Sequence, residues 1–113
     1  RVEAEVLQPA KRGMTVSYRR FDCSRMELTE VRTFLPQGIL LVEGAYSCHP
    51  KLRDYFDLRI FVSIDPEMQM QRILLRNGSE RAEMFRNRWI PLEENYIAQC
   101  QVEEVCDLRL CAD

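Results

Sequence analysis

Five arginines, Arg72, Arg76, Arg81, Arg86 and Arg88, fall within one short stretch of this 113-residue chain. A guanidinium presents a rigid fork that matches phosphate or carboxylate oxygens, whereas Lys offers a point charge. Fourteen of the sixteen cations are Arg. Arg72 and Arg76 stand four apart, so a helix would place them on one face. Arg81, Arg86 and Arg88 follow in a polar segment with few apolar anchors, the composition of a mobile lid. Such a row suits phosphoryl transfer, where an inserted Arg is worth on the order of 10³ to 10⁵ in rate. The same spacing also fits a solvated basic face near a helix C-terminus, where cations are favourable.

Glu43 is the second candidate. It ends the apolar run GILLVEG at 38–44. A carboxylate at the tip of a buried parallel strand sits where open α/β sheets bind ligands, and there it can help hold magnesium. The pattern equally fits a solvated Glu that merely ends a strand. A third group is Tyr18, Arg20, Phe21, Asp22 and Cys23. Aromatic rings beside an acid could stack on and hydrogen-bond a small planar substrate, or could belong to a hairpin packed on its own domain. His49 precedes Pro50 and reads as the start of a short helix.

Composition narrows the class. The chain is long enough for one small domain with a single core. Its apolar fraction of 46% and charged fraction of 30% are those of a globular protein. No apolar run approaches the roughly 18 residues a membrane span needs, and no signal peptide is visible, so no membrane partner is expected. A net charge of −2 gives no general pull toward nucleic acid. The five cysteines are odd in number, form no C-x-x-C pair and meet only one His. A full disulfide framework and a zinc site are therefore not expected, and the thiols read as free in a reducing cytoplasm. The chain begins at Arg rather than Met, so further residues are expected before it.

These candidates need elements to carry them. The first ten residues have helical spacing, bounded by Pro9 and Gly13, and 14–19 alternates as a short strand. Residues 21–34 read as loop with some helix. The runs at 38–44 and 58–64 read as strands covered on both faces. Asp65 should cap a helix that opens with Pro66 and stops at Gly78. After a polar, Arg-rich segment to Trp89, Pro91 should open a helix with Leu92, Tyr96, Ile97 and Cys100 on one face. Residues 105–111 read as a last strand. Alternating strand and helix predicts an α/β fold with a parallel sheet.

Together these segments resemble the uridine kinase family of P-loop nucleoside kinases. The likeness is best in ILLVEGAY at 39–46 and LRDYFDLRIFV at 52–62. The helix with Arg72 and Arg76 is similar to the family's "R-x-x-R-D" lid entry. YRRFDC at 18–23 is similar to its "Y-x-x-Y-D-F" turn, which contacts nucleobase and ribose. IPLEENY at 90–96 and CDLRL at 106–110 resemble its closing helix and final strand. Four departures stand out. ERAE at 80–83 replaces "E-R-G-R", Asn77 replaces an Asp, Cys23 replaces a base-stacking Phe, and Met26 falls near a uracil-contacting His. No G-x-x-x-x-G-K-S/T loop occurs in the sequence.

The resemblance implies a partial P-loop kinase fold that lacks the N-terminal P-loop strand and carries an Arg-rich lid. The chain would be the C-terminal portion of one domain: a substrate-side hairpin or loop at 1–37, core strands at 38–65, a lid at 66–90, and a closing helix and strand at 91–113. It implies transfer of the ATP γ-phosphate to a nucleoside 5′-hydroxyl. Glu43 would serve magnesium, Arg76 and Arg81 the phosphates, and Arg72 the substrate or a phosphate. Phe21 and Asp22 would serve the nucleoside. A related kinase with another small alcohol substrate, or a catalytically silent binding module, stays open. In the family the P-loop strand lies between the two core strands. Its loss would expose their inner edges and favour homo-oligomers or strand-swapped association.

Overall fold

Two prolines sit inside helices, and both distort them in the same way. The computed structural model describes residues 1–112. It opens with a π-helical stretch, Glu3–Leu7, that runs directly into helix α1 (Gln8–Lys11). The Gln8 N–H reaches back five residues to the Glu3 carbonyl, one position before Pro9. A proline ring inside an α-helix collides with the carbonyl four residues back. Widening the preceding turn to the π geometry removes that collision. Pro9 was expected to bound the helix, and instead the helix passes through it.

Val16–Asp22 (β1) and Glu27–Phe34 (β2) form an antiparallel hairpin. The loop expected at 21–34 is thus mostly strand. Pairing is regular from Val16↔Phe34 to Arg19↔Val31, then shifts, resuming at Phe21↔Leu28. That bulge leaves carbonyls out of the ladder, and side chains take them up. Arg19 donates to the carbonyls of Thr29 (3.1 Å) and Leu28 (3.2 Å), and the Thr29 hydroxyl donates to the Arg20 carbonyl (3.2 Å). Leu7 and Val16 form the buried centre of this part.

The strand expected at 38–44 is not one. Residues 39–44 join no strand ladder among the described residues, and Ile39 and Leu41 are 94% and 81% exposed. An apolar run becomes a strand only when a neighbour takes up its N–H and C=O groups. The chain divides between Glu43 and Gly44 into two compact units.

The second unit is α/β. A 3₁₀ turn, Arg53–Tyr55, leads to β3 (Ile60–Ser63), shorter than the run at 58–64 that predicted it. Helix α2 (Pro66–Asn77) follows as expected, capped by Asp65, whose Oδ1 accepts from the N–H of Glu67 (2.9 Å) and Met68 (3.1 Å). Gly78 ends it with a φ of 82°, which a side chain would resist. The polar, Arg-rich segment is helical: α3 (Ser79–Met84) passes through a π-helical stretch, Phe85–Trp89, into α4 (Ile90–Gln99). Here the Ile90 N–H reaches the Phe85 carbonyl just before Pro91. Pro91 therefore lies within a continuous helix and does not open one.

A short helix, α5 (Val102–Val105), takes the start of the expected last strand, leaving β4 as Leu108–Cys111. β3 and β4 pair in parallel from Ile60↔Leu108 to Ser63↔Cys111. Ile73, Ala82, Tyr96 and Val102 form the buried core of this unit. Leu92, expected on the same buried face as Tyr96, is exposed. Among the described residues, no helix is long and apolar enough to cross a membrane.

Candidate active site

Asp22 ends β1, and the turn after it consumes one of its oxygens. Asp22 Oδ1 accepts from Ser24 Oγ (2.6 Å), Ser24 N (2.8 Å) and Arg25 N (3.2 Å). These bonds, led by the Ser24 hydroxyl, hold the carboxyl below its usual range. Met26 completes the turn at a φ of 54°. Asp22 is thus a turn-organising group as well as a candidate ligand. Phe21 pairs with Leu28 across the ladder and is 44% exposed, so an apolar ring face is open to solvent beside that turn.

Tyr18 takes part in a different feature. With Arg1, Glu5, Ser17, Arg19, Leu28 and Val31 it lines an open cleft of about 260 Å³. Arg1 closes one wall, donating from Nη2 to the Arg19 carbonyl (2.7 Å) and from Nε to Glu5 Oε1 (2.9 Å). Arg1 and Glu5 carry one signal in the sequence, their i, i+4 spacing, and were not among the candidates. On the ladder nearby, Glu30 lies between Arg20 (3.4 Å) and Arg32 (3.0 Å). The Thr29 hydroxyl beside it, its own backbone N–H and the Arg32 guanidinium together hold its carboxyl down at about 2.

Glu43 closes the first unit and is exposed. Among the described residues, no group of three His, Cys, Asp or Glu side chains gathers into a metal cage. Magnesium does not need one, because it commonly binds one or two carboxylates plus phosphate oxygens and water. A single Glu fits that habit.

The phosphate-side candidates lie in the second unit. Arg72 and Arg76 are exposed on one face of α2. Arg72 donates from Nη2 to the Ala112 carbonyl (3.0 Å), and Arg76 donates from Nε to Asn77 Oδ1 (2.8 Å). Each of these bonds uses a single N–H, and a guanidinium carries five. Arg81 lies beyond Gly78 in the last turn of α3 and is exposed. Arg88 stacks over the Trp89 ring at 5.5 Å, a position that favours the cation.

A third cluster was not legible from spacing. Tyr96 packs against Tyr46 (4.8 Å between centroids) and lies parallel to His49 (6.3 Å). His49 caps its turn as expected, Nδ1 accepting from Lys51 N (3.2 Å). Arg53 donates from Nη2 to the Cys100 carbonyl (2.8 Å). Among the described residues, the Tyr96 hydroxyl and Arg53 Nε are both buried with no protein partner. Burial pushes the Tyr96 phenol up to about 12, so it remains a neutral donor.

The comparisons with known proteins agree with these segments. Residues 3–87 match the family described as "Phosphoribulokinase / Uridine kinase family". Relatives include a uridine kinase of Macrococcus caseolyticus, 31% identical over 66% of this chain and 37% of its own length. A uridine kinase of Staphylococcus carnosus is 27% identical over 80% of this chain and 48% of its own. A third, from Staphylococcus aureus, is 30% identical over 68% and 38%. The chain therefore spans less than half the length of these relatives. The family match runs through the hairpin, the Glu43 segment, α2 and α3, and on that ground the chain belongs to the phosphoribulokinase/uridine kinase family.

Proposed function

We propose that this chain supplies part of the site of an enzyme that moves the γ-phosphate of ATP to the 5′-hydroxyl of a nucleoside. The observation that carries the reading is the family match across residues 3–87, which takes in Phe21, Asp22, Glu43, Arg72, Arg76 and Arg81. Arg76 and Arg81 would hold phosphate oxygens with N–H groups their present bonds leave over, and Arg72 would hold substrate or phosphate. Phe21 would stack on the nucleoside, and Asp22 would accept from it through the oxygen that the turn leaves over. Glu43 would hold magnesium, whose charge would offset that of the phosphates. The implied compartment is the reducing cytoplasm.

A second reading, a catalytically silent module, draws on one observation: Asp22 is already engaged in its own turn. A related kinase with another small alcohol substrate stands between the two. Labelled phosphate transfer separates them. The 113-residue chain alone should transfer nothing to uridine. A polypeptide that joins it to a phosphate loop should phosphorylate a nucleoside in the presence of ATP and magnesium. Failure of that longer polypeptide on every nucleoside tested, with nucleotide still bound, would favour the silent module.

The reading extends to a partner. Ile60 and Val62 of β3 and Leu108 and Leu110 of β4 share one sheet face and are exposed. Parallel sheets are ordinarily covered on both faces. That face supports association between copies of the chain, which sedimentation would detect as a dimer at micromolar concentration. A monomer would count against it.

A further inference from the structure

The open cleft of the first unit is built on one face of the hairpin. Ser17 and Arg19 of β1 share that face, and Val31 stands opposite Arg19. Regular pairing would set Thr29 opposite Phe21. The extra residue in β2 sets Leu28 there instead, so a second apolar side chain joins the face. Leu28 and Val31 are 39% and 59% exposed, and both line the cleft. Its wall is cationic. Arg1 is fixed to Glu5 at backbone and side chain: the Glu5 N–H donates to the Arg1 carbonyl (2.9 Å), and Arg1 Nη2 donates to Glu5 Oε2 (3.1 Å). That pair is neutral. Arg19 is held by the carbonyls of Thr29 and Leu28, which take up N–H groups and leave its charge in place. The named bonds engage three N–H groups of Arg1 and two of Arg19, so each guanidinium keeps donors for a ligand.

We propose that this cleft is a binding site for a small amphipathic anion, a carboxylate that carries a short apolar body. The carboxylate would take N–H groups of Arg19 and Arg1 in a charge-assisted contact. The body would lie on Leu28 and Val31 and remove their apolar surface from water. Neither half suffices. Acetate and inorganic phosphate offer no body, and a neutral alcohol leaves the charge of Arg19 unanswered. The cleft, of about 260 Å³, lies just under the usual range of small-molecule pockets, which suits a compact ligand. Its lining includes neither Phe21 nor Asp22, so the site is separate from the one proposed for the nucleoside. All of its lining belongs to the first unit.

The full chain titrated with hexanoate provides the test, followed by amide chemical shifts. The shifts should saturate with a Kd on the order of 1 mM and centre on Glu5, Arg19, Leu28 and Val31. Hexanol, acetate and inorganic phosphate should each bind at least about tenfold more weakly. Val31→Glu sets a carboxylate opposite Arg19, which repels the ligand and occupies its partner. It should weaken hexanoate at least about tenfold. The same spectra report whether the variant is folded. Should it unfold, Arg1→Gln replaces it with a loss expected again, and the wild-type titration decides in any case. Shifts that do not saturate, or that centre on Phe21 or Ile39, would overturn the proposal. So would hexanol binding as tightly as hexanoate, the mark of an apolar patch, or phosphate doing so, the mark of an adventitious ion only. Unaltered hexanoate binding by folded Val31→Glu would do the same.

Discussion

Arg59 and Asp107 grip each other with both backbone and side chain. The Arg59 N–H and Nε both donate to Asp107 Oδ2, at 2.8 and 3.3 Å, while the Asp107 N–H donates to the Arg59 carbonyl at 2.9 Å. The pair lies one residue before the first rung of the parallel ladder, Ile60↔Leu108. It therefore sets the register of β3 against β4. A slip of one residue would exchange the two faces of the strand.

That contact should make the second unit sensitive to acid. Arg59's backbone and side-chain hydrogen bonds hold the Asp107 carboxyl below its usual range. A carboxyl lowered in the folded state stabilises above its unfolded pKa, and that stability is lost as pH falls through the folded one. Asp107→Asn should lower the thermal midpoint above about pH 5, and the gap to wild type should narrow as pH falls below the ordinary Asp value of roughly 3.9. A gap that stays constant across that range would show that the charge is not what holds the register.

Tyr96 offers a test of a different kind, because its hydroxyl is buried without a protein acceptor. Removing an unpartnered polar atom relieves a desolvation cost. Tyr96→Phe should therefore unfold in urea within about 1 kcal/mol of wild type, or with greater stability. Tyr96→Ala also loses the ring that Tyr46 and His49 pack on, and should cost on the order of 3 kcal/mol. A large loss in the Phe variant would mean that the hydroxyl has an acceptor.

What the sequence made legible follows the range of the interactions. The Asp65 cap and the Gly78 stop depend on residues within four positions, so α2 was read to its ends. The shared face of Arg72 and Arg76 follows from helical period alone. The engagement of Asp22 by Ser24 was legible in principle, since Asp followed two residues later by Ser is a turn signal. The run at 38–44 was misread because apolar content does not reveal whether a pairing partner exists. Tyr96 meets Tyr46 and His49 from about fifty positions away, which no spacing rule predicts.

For the phosphate-side residues, the proposed transfer sets the expectation. In a polypeptide that carries it out, Arg76→Ala and Arg81→Ala should each lower kcat by at least about a hundredfold with little change in unfolding midpoint, since both side chains are exposed. Glu43→Gln should raise the magnesium concentration needed for half-maximal rate. Wild-type kinetics across a magnesium titration would return Glu43 to the role of an exposed carboxylate without a ligand.

The π-helical stretch before Pro91 supplies the last test, because its cause is local. With Ile90 bonded to the Phe85 carbonyl, the helix is one residue wider there than an α-turn. The proline ring would otherwise meet the carbonyl of Asn87, four positions back. Ala has no such ring and brings an N–H that can bond there. Narrowing the turn would rotate the preceding helix by roughly 100° per residue removed, so Ala82 resists, being buried on the far side of the stretch. An alanine side chain is small, however, whereas Pro to Ala in a helix interior is worth about 3 kcal/mol in propensity. The local term should win. In Pro91→Ala, backbone chemical shifts and amide exchange should show an α-helix through 85–91, with Ile90 bonded to Arg86 and residue 91 protected. Retention of the wide turn in that variant would mean that the packing of Ala82 and Tyr96 sets it, with Pro91 merely tolerated there.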